Sequence, residues 1–387
     1  MIARIFLLVV LAIVLPELYV EWYMRNRRRD QSWWRRVLNW IPTLAMLVYT
    51  TVLAMNRNFV PDDMRIINIY LLLTGLYVVP KALFALCSLG GVAWRRLTHC
   101  RYNWGNLVAF FLILFCWYCI IYGSTLGFRK LEVRHIDLYF DDLPESFEGY
   151  KIVHFTDAHV GSFSASGRKF LQKALDSINA QKPDLIAFTG DLQNLKPREL
   201  IPVRKQLAGL KAKDGVVSIL GNHDYCEYID EEPMVEAAYC REMITRQRQL
   251  GWQLLLNEHK VVYRGGDSIV VAGEENLEKP ARADFAKTMD KVNKGAFVVM
   301  LQHNPEAWDK YIKPSGRVQL MLSGHTHGGQ VAFFGFRPIS LKYKQDYGLF
   351  EEDNKALYVS SGIGALIPFR FGIPGEIAVI TLHTKQS

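Results

Sequence analysis

The chain has 387 residues and is therefore longer than one ordinary domain. Its formal net charge of +8 at pH 7 suits an anionic partner, and arginines clustered beside apolar segments favour a membrane surface over nucleic acid. Six cysteines in this length exclude a disulfide-rich scaffold. Seven of the nine tryptophans precede residue 120, so the two ends of the chain differ in composition.

Four apolar segments predict four membrane-spanning helices at the start of the chain. They cover residues 5–20, 37–55, 66–89 and 106–126, close to the ~20 residues that cross a bilayer. The first could instead be a signal peptide, but no small-residue cleavage site follows it, so we favour a retained helix. The third contains Pro80 and Lys81 and allows two interpretations. It could form one span in which the lysine snorkels, or it could form two shorter pieces. Tryptophans flank the segments, as is typical at membrane interfaces: Trp33, Trp34, Trp40, Trp94 and Trp104.

Basic residues near the span ends predict the orientation in the membrane. The first and third loops hold nine arginines, and the opposite side holds six basic residues. The first and third loops are therefore predicted to be cytoplasmic, and the part after four spans to lie outside the cytoplasm. The arginines between residues 25 and 36, which include Arg28 and Arg29, are interpreted as contacting anionic lipid headgroups. Cys226 and Cys240 would fit a disulfide in an oxidising exterior and fit two unpaired thiols equally well.

From about residue 129, short apolar runs alternate with amphipathic segments of helical length. Helices are predicted at 167–179, 203–210 and 232–250, with another between the strands at 297–301 and 318–322. This alternation indicates an α/β architecture, and the turn-separated strands of the second half indicate a second sheet packed on the first. The other predicted strands are 150–155, 184–188, 216–220, 253–256, 261–263, 269–272, 358–359 and 377–382.

Five of the predicted strands end in side chains that bind metals. In open α/β sheets, ligands bind beyond the carboxyl ends of the strands, so these side chains are expected to meet. Five of the ten histidines lie at these ends, which packing alone does not explain. The segments are Asp157-Ala158-His159, Gly190-Asp191, Gly221-Asn222-His223-Asp224, His303-Asn304 and Gly324-His325-Thr326-His327.

These segments resemble the five signature blocks of the calcineurin-like metallophosphoesterases, over about residues 143–376. The extension Gly328-Gly329-Gln330 and the tail up to Glu376 are similar to the membrane-anchored bacterial branch of that family. The resemblance implies a four-layer α/β/β/α metallophosphoesterase sandwich at residues 129–387. The apolar segments described above place a transmembrane region with about four helices before it, at residues 1–128. The resemblance also implies an integral protein of the bacterial inner membrane. The family usually has an aspartate where this chain has Asn194, a position that is not generally a metal ligand.

The resemblance further implies two divalent metal ions. One would be held by Asp157, His159, Asp191 and His327, and the other by Asp191, Asn222, His303 and His325. Two cations ~3.5–4 Å apart clamp a phosphate and lower the pKa of a bound water. Asp191 suits the bridging position because a carboxylate has two oxygens. Manganese is favoured, and iron and zinc stay open because mixed ligands of this kind do not select one ion.

His223 is not assigned to a metal, and two catalytic residues are predicted beside the ions. We expect Asp224 to orient the ring of His223, and His223 to stabilise phosphoryl oxygens or protonate the leaving group. The predicted reaction is hydrolysis of a phosphate monoester or diester by attack of a metal-bound hydroxide. Two positions are possible for Arg370: contact with a substrate phosphate, or the surface beside aromatic residues.

Three functions remain open from the sequence. The first is a membrane-anchored phosphoesterase acting on lipid or cell-envelope substrates near the bilayer, without nucleic acid partners. The second is a cytoplasm-facing pyrophosphatase on a nucleotide-linked lipid precursor of the UDP-diacylglucosamine type, which requires the opposite orientation. The third is a metal-binding sensor that does not catalyse, which the complete ligand set disfavours.

Overall fold

The computed structural model describes residues 2–27, 32–163 and 167–385. Arg28 and Arg29 of the predicted headgroup-binding cluster lie outside the described residues. The chain divides into two compact units, Met1–Ser124 and Thr125–Ser387.

The first unit is helical. Its helices are α1 (Phe6–Arg27), α2 (Trp33–Ala54), α3 (Met64–Leu73), α4 (Val79–Thr98) and α5 (Trp104–Tyr122). A single turn of π-helix at Thr74–Val78 joins α3 to α4, so the third apolar segment forms one continuous helix and not two pieces. In the described part of the chain, four helical segments are long and apolar enough to cross a membrane, as the sequence predicted: Ile2–Asn26, Trp33–Ala54, Met64–Thr98 and Trp104–Gly127.

A cluster of polar side chains lies inside the first unit. Glu17 of α1 is buried and forms an ion pair with Lys81 of α4. Thr43 of α2 donates a hydrogen bond to the Glu17 carboxylate over 2.6 Å, and the Tyr77 hydroxyl lies 2.8 Å from Thr43 Oγ1. Lys81 is therefore held by a partner within the unit, where the sequence had allowed a snorkelling lysine. An ion pair inside hydrocarbon is stable only with such partners, and this cluster joins side chains of α1, α2 and α4.

The second unit contains two mixed sheets of six strands each. The strands are β1 (Leu131–Phe140), β2 (Tyr150–Phe155), β3 (Leu185–Phe188), β4 (Val216–Ser218), β5 (Gln253–Leu254), β6 (Glu258–Arg264), β7 (Asp267–Gly273), β8 (Phe297–Leu301), β9 (Leu320–Ser323), β10 (Gly348–Glu352), β11 (Lys355–Val359) and β12 (Gly375–Thr384). The first sheet has the order β1-β12-β2-β3-β4-β5 and the second β10-β11-β9-β8-β7-β6. Neighbouring strands are parallel except for the pairs β12–β2, β6–β7 and β10–β11.

Three apolar cores separate four layers. One core lies between the sheets and takes side chains from both, including Ile152 of β2 and Val299 of β8. A second covers the outer face of the first sheet with α6 (Gly167–Ala180) and α8 (Pro233–Arg248). The third covers the outer face of the second sheet with the π-turn Trp308–Ile312 and the short helix α9 (Phe285–Thr288). The architecture is the predicted α/β/β/α sandwich, with the short helix α7 (Arg204–Leu207) extending a 3-10 segment at Pro197–Val203.

Two strands at sheet edges were not predicted. β1 pairs with β12 in parallel, and β10 pairs with β11. Both have several exposed side chains, so neither shows the continuous apolar run that marks the inner strands. The inner strands β3 and β8 are buried at every position, and such runs are readable from sequence.

Candidate metal centre

The predicted site residues follow the carboxyl ends of five strands in two sheets. β2, β3 and β4 are parallel neighbours in one sheet, and β8 and β9 are parallel neighbours in the other. The structure brings these ends together in three overlapping groups, within each of which the candidate ligand atoms lie inside 4.8 Å of one another. The groups are Asp157–His159–His327, His159–Asp191–His223 and Asp157–Asp191–His303.

The first half of the centre surrounds Asp157. Its Oδ1 atom lies 3.2 Å from His327 Nε2 and 4.0 Å from His159 Nε2. The rings of His159 and His327 are stacked with centroids 5.3 Å apart. His159 Nε2 also lies 3.6 Å from Asp191 Oδ2. These four side chains are the set expected from the sequence for one ion.

The second half surrounds Asn222. Its Oδ1 atom lies 3.1 Å from His303 Nε2 and 2.9 Å from His325 Nδ1. His303 Nε2 lies 3.3 Å from Asp191 Oδ2, the same oxygen that faces His159. Asp191 therefore stands between the two halves, as a bridging carboxylate must.

Buried polar atoms of the centre, among them Asp157 Oδ1 and His159 Nε2, lack the hydrogen-bond partners that a folded protein normally provides. Within the described residues, neither Asp157 Oδ1 nor His159 Nε2 has a hydrogen-bond partner, although Asp157 is fully buried and His159 is 1% exposed. Leaving such groups unsatisfied costs about 1–3 kcal/mol each. A divalent cation between them would satisfy both atoms, so the donor set fits a metal ion.

Partners outside the centre fix the orientation of two histidine rings. His159 Nδ1 lies 3.1 Å from Asn194 Oδ1, and His303 Nδ1 lies 2.7 Å from the carbonyl oxygen of Thr189. Each acceptor requires the proton on Nδ1, which leaves the lone pair of Nε2 directed into the centre. Metal-binding histidines are held in this way.

Burial and the carboxylates set the charges of the centre. Burial lowers the pKa of His159, His325 and His327 to about 3, so these rings are neutral near pH 7 and can offer lone pairs. Burial opposes ionisation of Asp191, but His303 and His223 outweigh it and hold the pKa of Asp191 well below its usual range. Burial lowers the pKa of His303, but the negative charge of Asp191 outweighs burial and raises this pKa to about 9. Binding of a cation to His303 Nε2 would require release of that proton.

Both units are similar to known protein families. Residues 150–329 match the family model of the calcineurin-like phosphoesterases, and residues 3–128 match a model described as the transmembrane domain of a probable calcineurin-like phosphoesterase. An uncharacterised metallophosphoesterase of Bacillus subtilis is 31% identical over 275 residues, which cover 68% of this chain and 90% of that protein. This chain belongs to the calcineurin-like metallophosphoesterases.

Two other relatives show how widely this similarity extends. An uncharacterised metallophosphoesterase of Helicobacter pylori is 30% identical over 272 residues, covering 68% of this chain and 67% of that protein. A zebrafish transmembrane protein with a metallophosphoesterase domain is 28% identical over 274 residues, covering 68% of this chain and 60% of its own length. The chain is thus a metallophosphoesterase-family protein with a membrane region.

The predicted pairing of Asp224 with the ring of His223 is wrong. The Asp224 carboxylate accepts hydrogen bonds from the backbone N–H groups of Gly221, Asp191, Leu192 and Gln193, over 2.8–3.2 Å. Asp224 thereby ties the segments after β3 and β4 together, and four backbone donors leave no place for the imidazole. The ring of His223 is oriented instead by the carbonyl oxygen of Asn194, 2.7 Å from Nδ1.

Tyr228 is a site residue that sequence analysis missed. Its ring stacks on His223 with centroids 4.4 Å apart. Its hydroxyl accepts a hydrogen bond from Asn222 Nδ2 over 2.8 Å, which turns Asn222 Oδ1 toward His303 and His325. Tyr228 lies outside the strand-end segments, so the pattern of the sequence gave no signal for it.

Asn194 connects two parts of the site, although its side chain is neutral where the family usually has aspartate. The side chain holds His159, and the main-chain carbonyl holds His223. Glu199 in turn accepts from the backbone N–H groups of residues 194–196 over 2.6–3.0 Å. Asn194 is therefore placed by its own loop and keeps the acceptor that His159 needs.

Neither position considered for Arg370 is correct. Its side chain is fully buried, and the guanidinium donates to the carbonyl oxygens of Ser361, Gly362, Gly364 and Pro374 over 2.7–3.1 Å. Burial lowers the pKa of Arg370 to about 10, so the group stays charged near pH 7. Arg370 holds the loop before β12 and is not a surface residue.

Close backbone approach explains two glycines of the motifs. Gly190 has φ +99°, and a Cβ there would meet the backbone of Gly221. A Cβ at Gly324 would meet the Asp157 carboxylate and Thr156. Side chains at either position would push the ligand segments apart, which is why glycine precedes the ligands.

The two cysteines of this unit are free thiols in the structure. Cys226 is buried and accepts a hydrogen bond from Gln193 Nε2 over 3.0 Å, while Cys240 is half-buried. Burial raises the pKa of both thiols. The structure therefore shows the unpaired alternative.

Proposed function

We propose that this protein hydrolyses phosphate esters with two divalent cations, of which manganese is the favoured ion. Asp157, His159, Asp191 and His327 would hold one cation, and Asp191, Asn222, His303 and His325 the other. The observation that carries the proposal is the position of Asp191 Oδ2, 3.6 Å from His159 Nε2 and 3.3 Å from His303 Nε2. One carboxylate oxygen thus faces both ligand groups.

When bound, the two cations supply a water that is nucleophilic at neutral pH and neutralise the phosphate charge. Asp191 keeps the two ligand groups together, since its other oxygen, Oδ1, accepts the backbone N–H of His223 over 2.9 Å. Asn222 adds a neutral oxygen, so the ligand set stays attractive to an anionic substrate. The side chains of the protein therefore position the two cations and carry only a limited negative charge.

His223 is proposed as the residue that assists the leaving group. Its Nδ1 proton is donated to the Asn194 carbonyl, so Nε2 is available to bind a phosphoryl oxygen or to pass a proton. Stacking on Tyr228 limits rotation of the ring. Asp224 acts indirectly in this proposal, by fixing the backbone that carries His223 and Asp191.

The membrane region at residues 1–128 is proposed to hold the catalytic unit, residues 129–387, near lipid or cell-envelope substrates. Anchoring raises the effective concentration of a phosphoester that resides in the same bilayer. The excess of arginines in the first and third loops supports a catalytic unit outside the cytoplasm of a bacterial inner membrane.

The test uses the full chain purified in nanodiscs, with Mn²⁺ and an aryl phosphate monoester or diester. Asp191→Ala is expected to lower the rate at least ~1,000-fold and to reduce bound manganese from two ions toward one. The matched control is Asp184→Asn, at the opposite end of β3, where the carboxylate binds Lys213 and Arg264. Full activity of Asp191→Ala would refute the two-metal mechanism.

The same preparation separates the alternatives. Two bound ions without hydrolysis of any ester would indicate a metal-binding sensor. Hydrolysis of a nucleotide-linked lipid pyrophosphate, together with a C terminus accessible from the cytoplasm, would indicate the pyrophosphatase.

A further inference from the structure

The segment at residues 331–343, called here the phenylalanine loop, exposes large apolar side chains. Phe334 is 108% exposed, Leu341 82% and Phe336 54%. Phe334 and Gly335 form a two-residue turn with φ +50° and +85°, closed by reciprocal hydrogen bonds between Phe333 and Phe336. Such turns favour asparagine and glycine. A phenylalanine at this position strains the turn and buries nothing, so folding stability does not explain it.

The phenylalanine loop is built into the structure around the metal centre. Ala332 N–H donates to the carbonyl of Phe371 over 2.7 Å, and Phe371 N–H donates to Gln330, three residues after His327. At its other end, the Tyr343 ring packs edge-on against His325 with centroids 6.0 Å apart. The exposed side chains therefore project from a backbone that is anchored beside two candidate metal ligands.

Basic residues accompany the apolar ones. The sequence between positions 331 and 345 contains Arg337, Lys342 and Lys344 and no acidic residue. Arg337 and Lys344 form ion pairs with Asp346 and Asp309, and Lys342 Nζ donates to the hydroxyl of Tyr343. Phenylalanine and leucine beside lysine and arginine are typical of segments that lie at the headgroup boundary of a bilayer.

A short segment of chain links the second unit to the fourth candidate span. The fourth candidate span ends at Gly127 and β1 begins at Leu131, so three residues connect them. Three extended residues reach roughly 10 Å. A bilayer is therefore the apolar partner at the highest effective concentration.

We propose that the phenylalanine loop inserts Phe334, Phe336 and Leu341 into the headgroup–acyl boundary of the bilayer that anchors the chain. Insertion places a lipid surface beside the metal centre, so that a phosphoester embedded in that surface can reach it. The lipid contact is independent of catalysis, whereas its consequence for the substrate rests on the proposed function.

The test is photo-crosslinking of the full chain in nanodiscs containing zwitterionic and anionic phospholipids. Benzoylphenylalanine replaces Phe334 or Leu341, and the controls carry it at Tyr263 or Met234, which are 77% and 80% exposed. Lipid adducts are expected to be at least about fivefold more abundant at positions 334 and 341 than at the controls. Equal lipid yields, or adducts at 334 with protein in place of lipid, would overturn the proposal.

A second measurement tests the consequence for the substrate. Phe334→Ser combined with Leu341→Ser is expected to lower the rate on a vesicle-embedded phosphoester at least ~10-fold, with manganese content and the rate on a soluble aryl ester within about twofold. An unchanged rate on the embedded ester would overturn this consequence. If the wild-type protein hydrolyses neither ester, the proposed function fails, and the crosslinking result still decides whether the loop contacts lipid.

Discussion

Replacement of Asn194 by alanine is expected to weaken metal binding without removing a ligand. The Asn194 side chain accepts the Nδ1 proton of His159 over 3.1 Å and donates to Ser162. His159 is 1% exposed, so water has little access to replace the lost acceptor. An unsatisfied buried donor costs about 1–3 kcal/mol, and loss of such an outer partner typically weakens metal binding ~10–100-fold, or about 1.4–2.7 kcal/mol. The free-energy cost of the unsatisfied donor and the expected loss of metal-binding free energy therefore cover the same range.

The measurement is manganese bound at equilibrium, in buffers of fixed free Mn²⁺, by the full-length protein in nanodiscs. Asn194→Ala is expected to raise the Kd of the Asp157 half of the centre ~10–100-fold. The rate at saturating manganese should fall less, because the main-chain carbonyl that orients His223 remains. Asn194→Asp is the matched control, since it keeps the acceptor and is expected to bind manganese at least as tightly as the wild type. A wild-type Kd for Asn194→Ala would refute the idea that this side chain orients His159.

Three further predictions concern other parts of the molecule. Tyr228→Phe removes the hydroxyl that holds the Asn222 amide and is expected to lower manganese affinity ~10-fold, measured by equilibrium binding. Arg370→Met leaves four carbonyl oxygens without their charged donor and is expected to lower the free energy of unfolding by about 3–5 kcal/mol, measured by denaturation of the second unit within the full chain. Glu17→Met leaves Lys81 without its carboxylate partner and is expected to lower the free energy of unfolding by about 3–5 kcal/mol. The double replacement Glu17→Met with Lys81→Met is expected to have a free energy of unfolding within ~1–2 kcal/mol of the wild type, measured by thermal unfolding.

The three predictions can each be contradicted by experiment. The control for Tyr228→Phe is Tyr263→Phe, which alters an exposed tyrosine and should leave manganese affinity unchanged. If Tyr228→Phe behaves in the same way, its hydroxyl does not position Asn222. Arg370→Met at wild-type stability would show that water can replace the guanidinium. A double replacement of Glu17 and Lys81 as destabilised as the single one would show that the ion pair itself holds the helices.

The inner strands and the candidate ligand residues could be read from sequence for a physical reason. A strand buried on both faces needs an unbroken apolar run, as in β3 and β8, and a polar ligand directly after it marks where the strand ends. The edge strands β1 and β10 carry exposed residues and lack this signature. The positions of Asp191 and His303 were thus predictable, whereas the sheet edges were not.

Partners of the ligands were harder to predict, because they depend on contacts between distant segments. Asp224 follows His223 in sequence, yet its carboxylate binds the backbone after β3, and the ring of His223 turns to Asn194. Similarly, Arg370 lies among aromatic residues that suggested a surface, and it is fully buried by the loop whose carbonyls it binds. Adjacency in sequence did not indicate either partner.

The sequence by itself determined the four apolar spans, the alternation of strands and helices, and which side chains could bind metals, because each depends on local hydrophobicity and residue chemistry. Tertiary structure alone decided that Asp191 faces both candidate ligand groups through one oxygen, that Tyr228 contacts both Asn222 and His223, and that the side chain of Phe334 is fully exposed. These features depend on distances between strand ends from two sheets, and such distances are fixed only when the sheets pack on their common core.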